Sequence, residues 1–284
     1  MFNPSQIIID SFSEHLREKY KHSFGLLEPE FPNIIVFFSK LVLENIANSD
    51  AAYHDMDHTI MVTEVCQAML RGKHLSDGQI TPSDWLECTI AALCHDIGYV
   101  RGVCKEDIKG SYYSGLGDKM ITIDNGSTDA SLSFYHVDRS MHFVRTWLKD
   151  VDLIDEERIA QMIDFTRFPV PDNPKYHSSE FSYPGLLRAA DLIGQLGDIN
   201  YMRKSSALFY EFRETGLDEK LGYKSGADVR AKFPAFFWSI IKPLIEPYTK
   251  YLMVTQEGKQ WLSNLHSHIF VEQNNIFGLG AERA

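Results

Sequence analysis

Ala91-Ala92-Leu93-Cys94-His95-Asp96-Ile97-Gly98 is an apolar helical run that ends in adjacent imidazole and carboxylate groups and then meets glycine. Thr81-Pro82 and Ser83 give this run a start, since proline suits a first helical turn and hydroxyls cap it. A neighbouring His and Asp at the end of a buried helix are costly unless paired or coordinated. Taken alone, the pair also reads as a polar helix C-cap.

Two further segments bear on that choice. Tyr53-His54-Asp55-Met56-Asp57-His58 sets two histidines four residues apart, so on a helix or its first turn they share a face. Surface or capping roles would account for such a pair by itself. In Leu186-Leu187-Arg188-Ala189-Ala190-Asp191-Leu192-Ile193 a carboxylate interrupts an apolar helix that Tyr183-Pro184 begins. A buried Asp191 must face a cation, be hydrogen-bonded or be neutralised, and Arg188 is a local candidate partner. Together, His58, His95, Asp96 and Asp191 form a mixed nitrogen and oxygen set suited to Zn, Mn, Fe or Mg rather than to a soft metal.

Outward from these segments the chain reads as all-α. Helical periodicity predicts helices over 4–20, 31–47, 57–71, 82–97, 128–149, 155–166, 184–196, 200–215, 234–254 and 257–271, and alternating strand patterns are hard to find. The glycine-rich stretch 98–126 has no sustained period and is expected to be a long loop, either a lid over the site or a loose insertion. Residues 168–181, with Pro169, Pro171 and Pro174, read as a spacer. No repeat or linker divides the 284 residues, so one domain is expected.

Composition narrows the partners. A net charge of −11 with no basic run of five residues argues against duplex nucleic acid. No apolar stretch is long and uninterrupted enough for a bilayer, and the first residues lack a signal-peptide pattern. Cys66, Cys88, Cys94 and Cys104 form no CxxC pair and suit buried reduced thiols, so a cytoplasmic protein without a membrane partner is expected. A small phosphate ester stays compatible with the acidic charge, because a dication inverts the local field.

The order H…HD…D in a helical chain resembles the HD-domain metal-dependent phosphohydrolase superfamily. Tyr53-His54-Asp55, His58 and Val62 are similar to the YHNxxHxxxV signature of its cyclic-nucleotide phosphodiesterase branch, and Leu93-Cys94-His95-Asp96 and Ala190-Asp191-Leu192 stand where that branch has its HD and ADL elements. The resemblance covers about 50–205, which implies an HD-domain helical bundle over that core with helical extensions at both ends. It implies two divalent metal ions, with His58, His95, Asp96 and Asp191 as ligands and Asp96 bridging. It makes His54 the proton donor to the leaving oxygen, and His136 a contact to the second metal or the phosphate. The implied reaction is hydrolysis of a phosphoester, including the cyclic-nucleotide phosphodiester, by a metal-activated hydroxide. Arg101, Lys105, Arg139 and Lys204 are candidate phosphate contacts by chain position.

This chain departs from the branch in three places. Asp55 replaces the usual Asn, Tyr99 stands where a second histidine follows the HD pair, and no purine-reading glutamine is evident beyond Gln195 and Gln256. Two other readings fit the same residues. The scaffold also resembles diiron oxygenases, for which His136 and His142 would be the added ligands; a non-catalytic HD-like signalling module is the third reading.

Overall fold

The helix starts foreseen at Thr81 and Tyr183 are capped by side-chain hydrogen bonds, from Thr81 and from Ser182, in the computed structural model, which describes residues 2–275. Helix α1 (Pro4–Phe24) and α2 (Phe31–Ile46) pack together as an N-terminal pair. Helix α3 (Met56–Asp77) is capped by Asp55, whose Oδ1 accepts from the His58 amide at 2.9 Å, and stops at left-handed Gly78. A capping box between Thr81 and Asp84 opens α4 (Pro82–Cys94), and a single 3-10 turn, Ile97–Tyr99, follows the His-Asp pair. Past this turn come α5 (His136–Leu148), α6 (Glu156–Asp164), α7 (Tyr183–Leu196) and α8 (Tyr201–Glu214). The chain continues through α9 (Leu217–Leu221), α10 (Gly226–Phe236), α11 (Lys242–Leu252) and α12 (Gln256–Gln273). Among the described residues the fold is all-α apart from one short hairpin.

Helix α3 is central. It packs on α4, α7, α11 and α12, and its buried residues lie all round it, as expected for a helix enclosed by others. Gly194 sets its approach to α7, because a Cβ there would lie 2.8 Å from the Val62 Cα. That contact brings the turn bearing His58 close to the turn bearing Asp191. One apolar core runs from Ile9 to Ile269, and a smaller cluster of Tyr53, Leu208, Phe209 and Val229 lies apart from it.

Four local expectations need correction. The helix expected over 128–149 begins as a separate 3-10 turn, Asp129–Leu132, and only becomes α-helical at His136. The helix expected over 234–254 is broken by a wide π-turn, Phe237–Ile241, because Pro243 cannot donate the hydrogen bond that a regular ladder needs. The interval 216–233, given no element by periodicity, holds α9 and most of α10; left-handed Gly216 and Gly222 confine α9 to five residues, too few for a period to show. The stretch 98–126 is not a loose insertion.

Its backbone is pinned from within. Strands β1 (Ser111–Tyr113) and β2 (Met120–Thr122) pair antiparallel, with Tyr112 opposite Ile121. Asp107 accepts from the Gly102, Cys104 and Tyr113 amides, and fully buried Arg139 grips Asp107 together with the carbonyls of Gly98, Val100 and Tyr113. Arg139 is therefore a structural cation and not a phosphate contact.

Candidate metal centre and adjoining cavity

His58 lies in the first turn of α3, His95 and Asp96 just beyond α4, and Asp191 on the second half of α7. The three helices bring all four side chains together. The Asp96 Oδ2 lies 3.2 Å from both the His58 and the His95 Nε2 atoms, which are 3.4 Å from each other. Asp191 Oδ1 lies 3.4 Å from the first and 3.7 Å from the second. His58, His95 and Asp96 are buried, Asp191 partly so.

These separations suit donors that share one cation. Ligand atoms about 2.1 Å from a common ion lie roughly 3.0–3.4 Å apart. The protonation pattern agrees. The His95 Nδ1 is 2.7 Å from the Ala92 carbonyl and donates to it, which leaves Nε2 as the bare nitrogen facing the cluster. The buried Asp96 Oδ2 has no hydrogen-bond donor of its own. Burial opposes charge on His58, yet Asp191 and Asp96 push its pKa up to about 10. Burial likewise opposes the charge of Asp96, but His95 and His58 hold its carboxyl well below the usual range. A field this negative inside the protein favours a cation, and the donor set fits a divalent one.

His54 and His136 flank the cluster. His54 shares a triad of donors close enough for a metal with His58 and Asp96. Its Nδ1 lies 2.5 Å from Glu211 Oε2, while Glu211 Oε1 accepts from the Tyr53 and His54 amides. Burial lowers the His54 pKa, but the charge and hydrogen bond of Glu211 outweigh it and raise it overall. His136 turns its Nδ1 to the Ser133 carbonyl and its Nε2 toward Asp96 Oδ1 at 3.5 Å; burial lowers its pKa. Tyr99 lies between the two rings, stacked 4.5 Å from His54 and 4.3 Å from His136. Tyr99 thus gives both imidazoles an aromatic stacking partner.

Gly98 makes this arrangement possible. A Cβ there would fall 1.9 Å from the His136 carbonyl oxygen. Gly98→Ala should therefore push α5 away from the His-Asp turn and cost roughly 1–3 kcal/mol. Thermal denaturation reads this directly, and an unchanged Tm would count against the close approach.

A cavity of about 170 Å³ opens on the cluster, lined by His54, Asp96, Tyr99, His136 and Asp191 at one part and by Leu208, Phe212, Leu217, Val229, Phe233 and Phe236 at another. Gln195, Arg167 and Arg188 also line it, whereas no residue of 100–126 does. Three of the cations proposed from chain position are engaged in ion pairs: Arg101 with Asp50 and Asp129, Arg139 with Asp107, and Lys204 with Asp198. Lys105 is exposed, and none of the four lines the cavity. Arg188 does not pair with Asp191; it donates to the Tyr176 carbonyl at 2.7 Å. His142 lies 3.0 Å from Glu106, apart from the metal-suited groups.

A model of the Npun_R2479-like family matches residues 2–275. The chain belongs to the Npun_R2479-like family. No curated protein matches it. In this member of the Npun_R2479-like family, Glu211 is the site residue that sequence reading missed. Its only local signal is an acid set among aromatics, Phe209-Tyr210-Glu211-Phe212. The four cysteines are buried, and no described helix is long and apolar enough to cross a membrane.

Proposed function

We propose that the protein is a metal-dependent phosphohydrolase of the HD-domain kind, with the centre built on His58, His95, Asp96 and Asp191. The observation that carries this reading is the convergence of two imidazole Nε2 atoms and two carboxylate oxygens on one buried point, with the His95 tautomer fixed by Ala92. Divalent ions there, from among Mn, Mg, Zn and Fe, would supply an acidified water and a charge clamp on phosphoryl oxygens.

The chain's own groups do the rest. Asp96 turns one oxygen toward His58 and His95 and the other toward His136, which suits it to join two ion sites. His54, held at Nδ1 by Glu211, lines the cavity, and its other nitrogen can give a proton to a departing alkoxide. Tyr99, stacked within 15° of both the His54 and the His136 ring, adds to the Glu211 hydrogen bond in fixing the donor's aim. The resemblance of Tyr53–His58, His95-Asp96 and Ala190–Leu192 to HD enzymes supports the same chemistry.

Protein reconstituted in turn with Mn, Mg, Zn and ferrous iron should hydrolyse a generic aryl phosphoester with at least one of them and lose turnover on chelation. Metal-loaded protein that consumes oxygen and releases no phosphate would overturn the reading.

A further inference from the structure

Arg188 is 4% exposed and lines the same cavity as Asp191, three residues further along α7 and on the same face. Its Nη1 donates to the Tyr176 carbonyl, its Nε has no partner, and its guanidinium lies 5.5 Å over the Phe165 ring. Among the described residues no carboxylate pairs with it. Other buried or partly buried arginines are neutralised: Arg139 by Asp107, Arg158 by Asp84 and Glu87, and Arg167 by Asp138 and Asp164. A buried cation without a counter-ion is costly to the fold, and burial lowers the Arg188 pKa accordingly. A guanidinium fork left with open donors matches a phosphoryl or carboxylate oxygen pair.

The walls beyond it describe the rest of the ligand. Leu208, Phe233 and Phe236 are apolar, and the volume of about 170 Å³ is close to that of an engineered cavity known to admit benzene.

We propose that this cavity takes an anionic ester with an organic part of about one ring, and that Arg188 grips an acidic oxygen of it. The acidic oxygen belongs either to the phosphoryl group itself or to a second acid on the ring. The proposal rests on the phosphohydrolase reading for the identity of the ester, and its test does not require turnover.

Binding to Mn-reconstituted protein would be measured by calorimetry with methylphosphonate, phenylphosphonate and 4-carboxyphenylphosphonate, for wild type and for Arg188→Met. Phenylphosphonate should bind about tenfold or more tighter than methylphosphonate, from burial of the ring. Arg188→Met should weaken phenylphosphonate at least about tenfold if the phosphoryl oxygen is gripped, or only the carboxy compound if the second acid is. Its Tm without ligand should match or exceed that of wild type, because the unpaired cation is gone. Equal binding of all three compounds by both proteins, or a lowered Tm with binding unchanged, overturns the proposal. Phosphonate binding that depends on Arg188 without any ester hydrolysis would overturn the enzyme reading and leave this site in place; hydrolysis indifferent to Arg188→Met would do the reverse.

Discussion

Asp96→Ala should abolish tight metal retention and lower turnover by at least about a hundredfold, while the helical circular dichroism is kept. Loss of a mere supporting partner already costs 10–100-fold in typical metal sites, and Asp96 is more central than that. Its Oδ2 lies 3.2 Å from both the His58 and the His95 Nε2 atoms, and its Oδ1 is the contact toward His136. Without it, the remaining donors are His58, His95 and Asp191, and the link to His136 is gone. Metal per chain by mass spectrometry, read beside turnover, checks the expectation. A full metal complement with wild-type turnover would remove Asp96 from the centre and with it the proposed chemistry.

His54→Ala should keep its metal and still lose about 10²–10⁴-fold in turnover on an ester with an alkyl leaving group. The loss should shrink to a few-fold with a nitrophenyl ester, because nitrophenolate departs without a proton. This contrast separates a proton donor from a ligand, since a ligand's removal lowers both rates alike. Glu211→Gln should show the same leaving-group pattern with a smaller amplitude, because the ring would keep a hydrogen bond at Nδ1 but lose the carboxylate's charge. Equal metal loss in His54→Ala and Asp96→Ala would reassign His54 to the ligand set, a place its nearness to His58 and Asp96 allows.

The all-α class and the helix starts were legible locally. Asp55, Thr81 and Ser182 cap the helices that carry His58, the His95-Asp96 pair and Asp191, and capping is a matter of neighbouring residues. The metal-suited quartet was legible for a different reason: His95 and Asp96 end an apolar helical run and Asp191 interrupts one, which is costly unless something compensates, whereas His58 stood out by its four-residue spacing from His54 and by the resemblance to HD enzymes. By sequence Arg139 was a candidate phosphate contact and Arg188 a candidate partner of Asp191. Their roles diverge only because Arg139 meets Asp107, 32 residues away, whereas Arg188 meets a carbonyl and a cavity.

What the chain's order alone determined was therefore the helical class, the caps and the convergence of four polar groups. Only the tertiary structure decided which group orients His54, what walls the cavity and which cation is left without a counter-ion. Glu211 stands 157 residues from His54, and much of the apolar wall comes from 208–236, around helices too short or too irregular to show a period. Periodicity and capping are set by contacts within a few residues. Counter-ions and cavities are set by which helices cross, and here that depends on close approaches such as Gly194 on Val62 and Gly98 on His136.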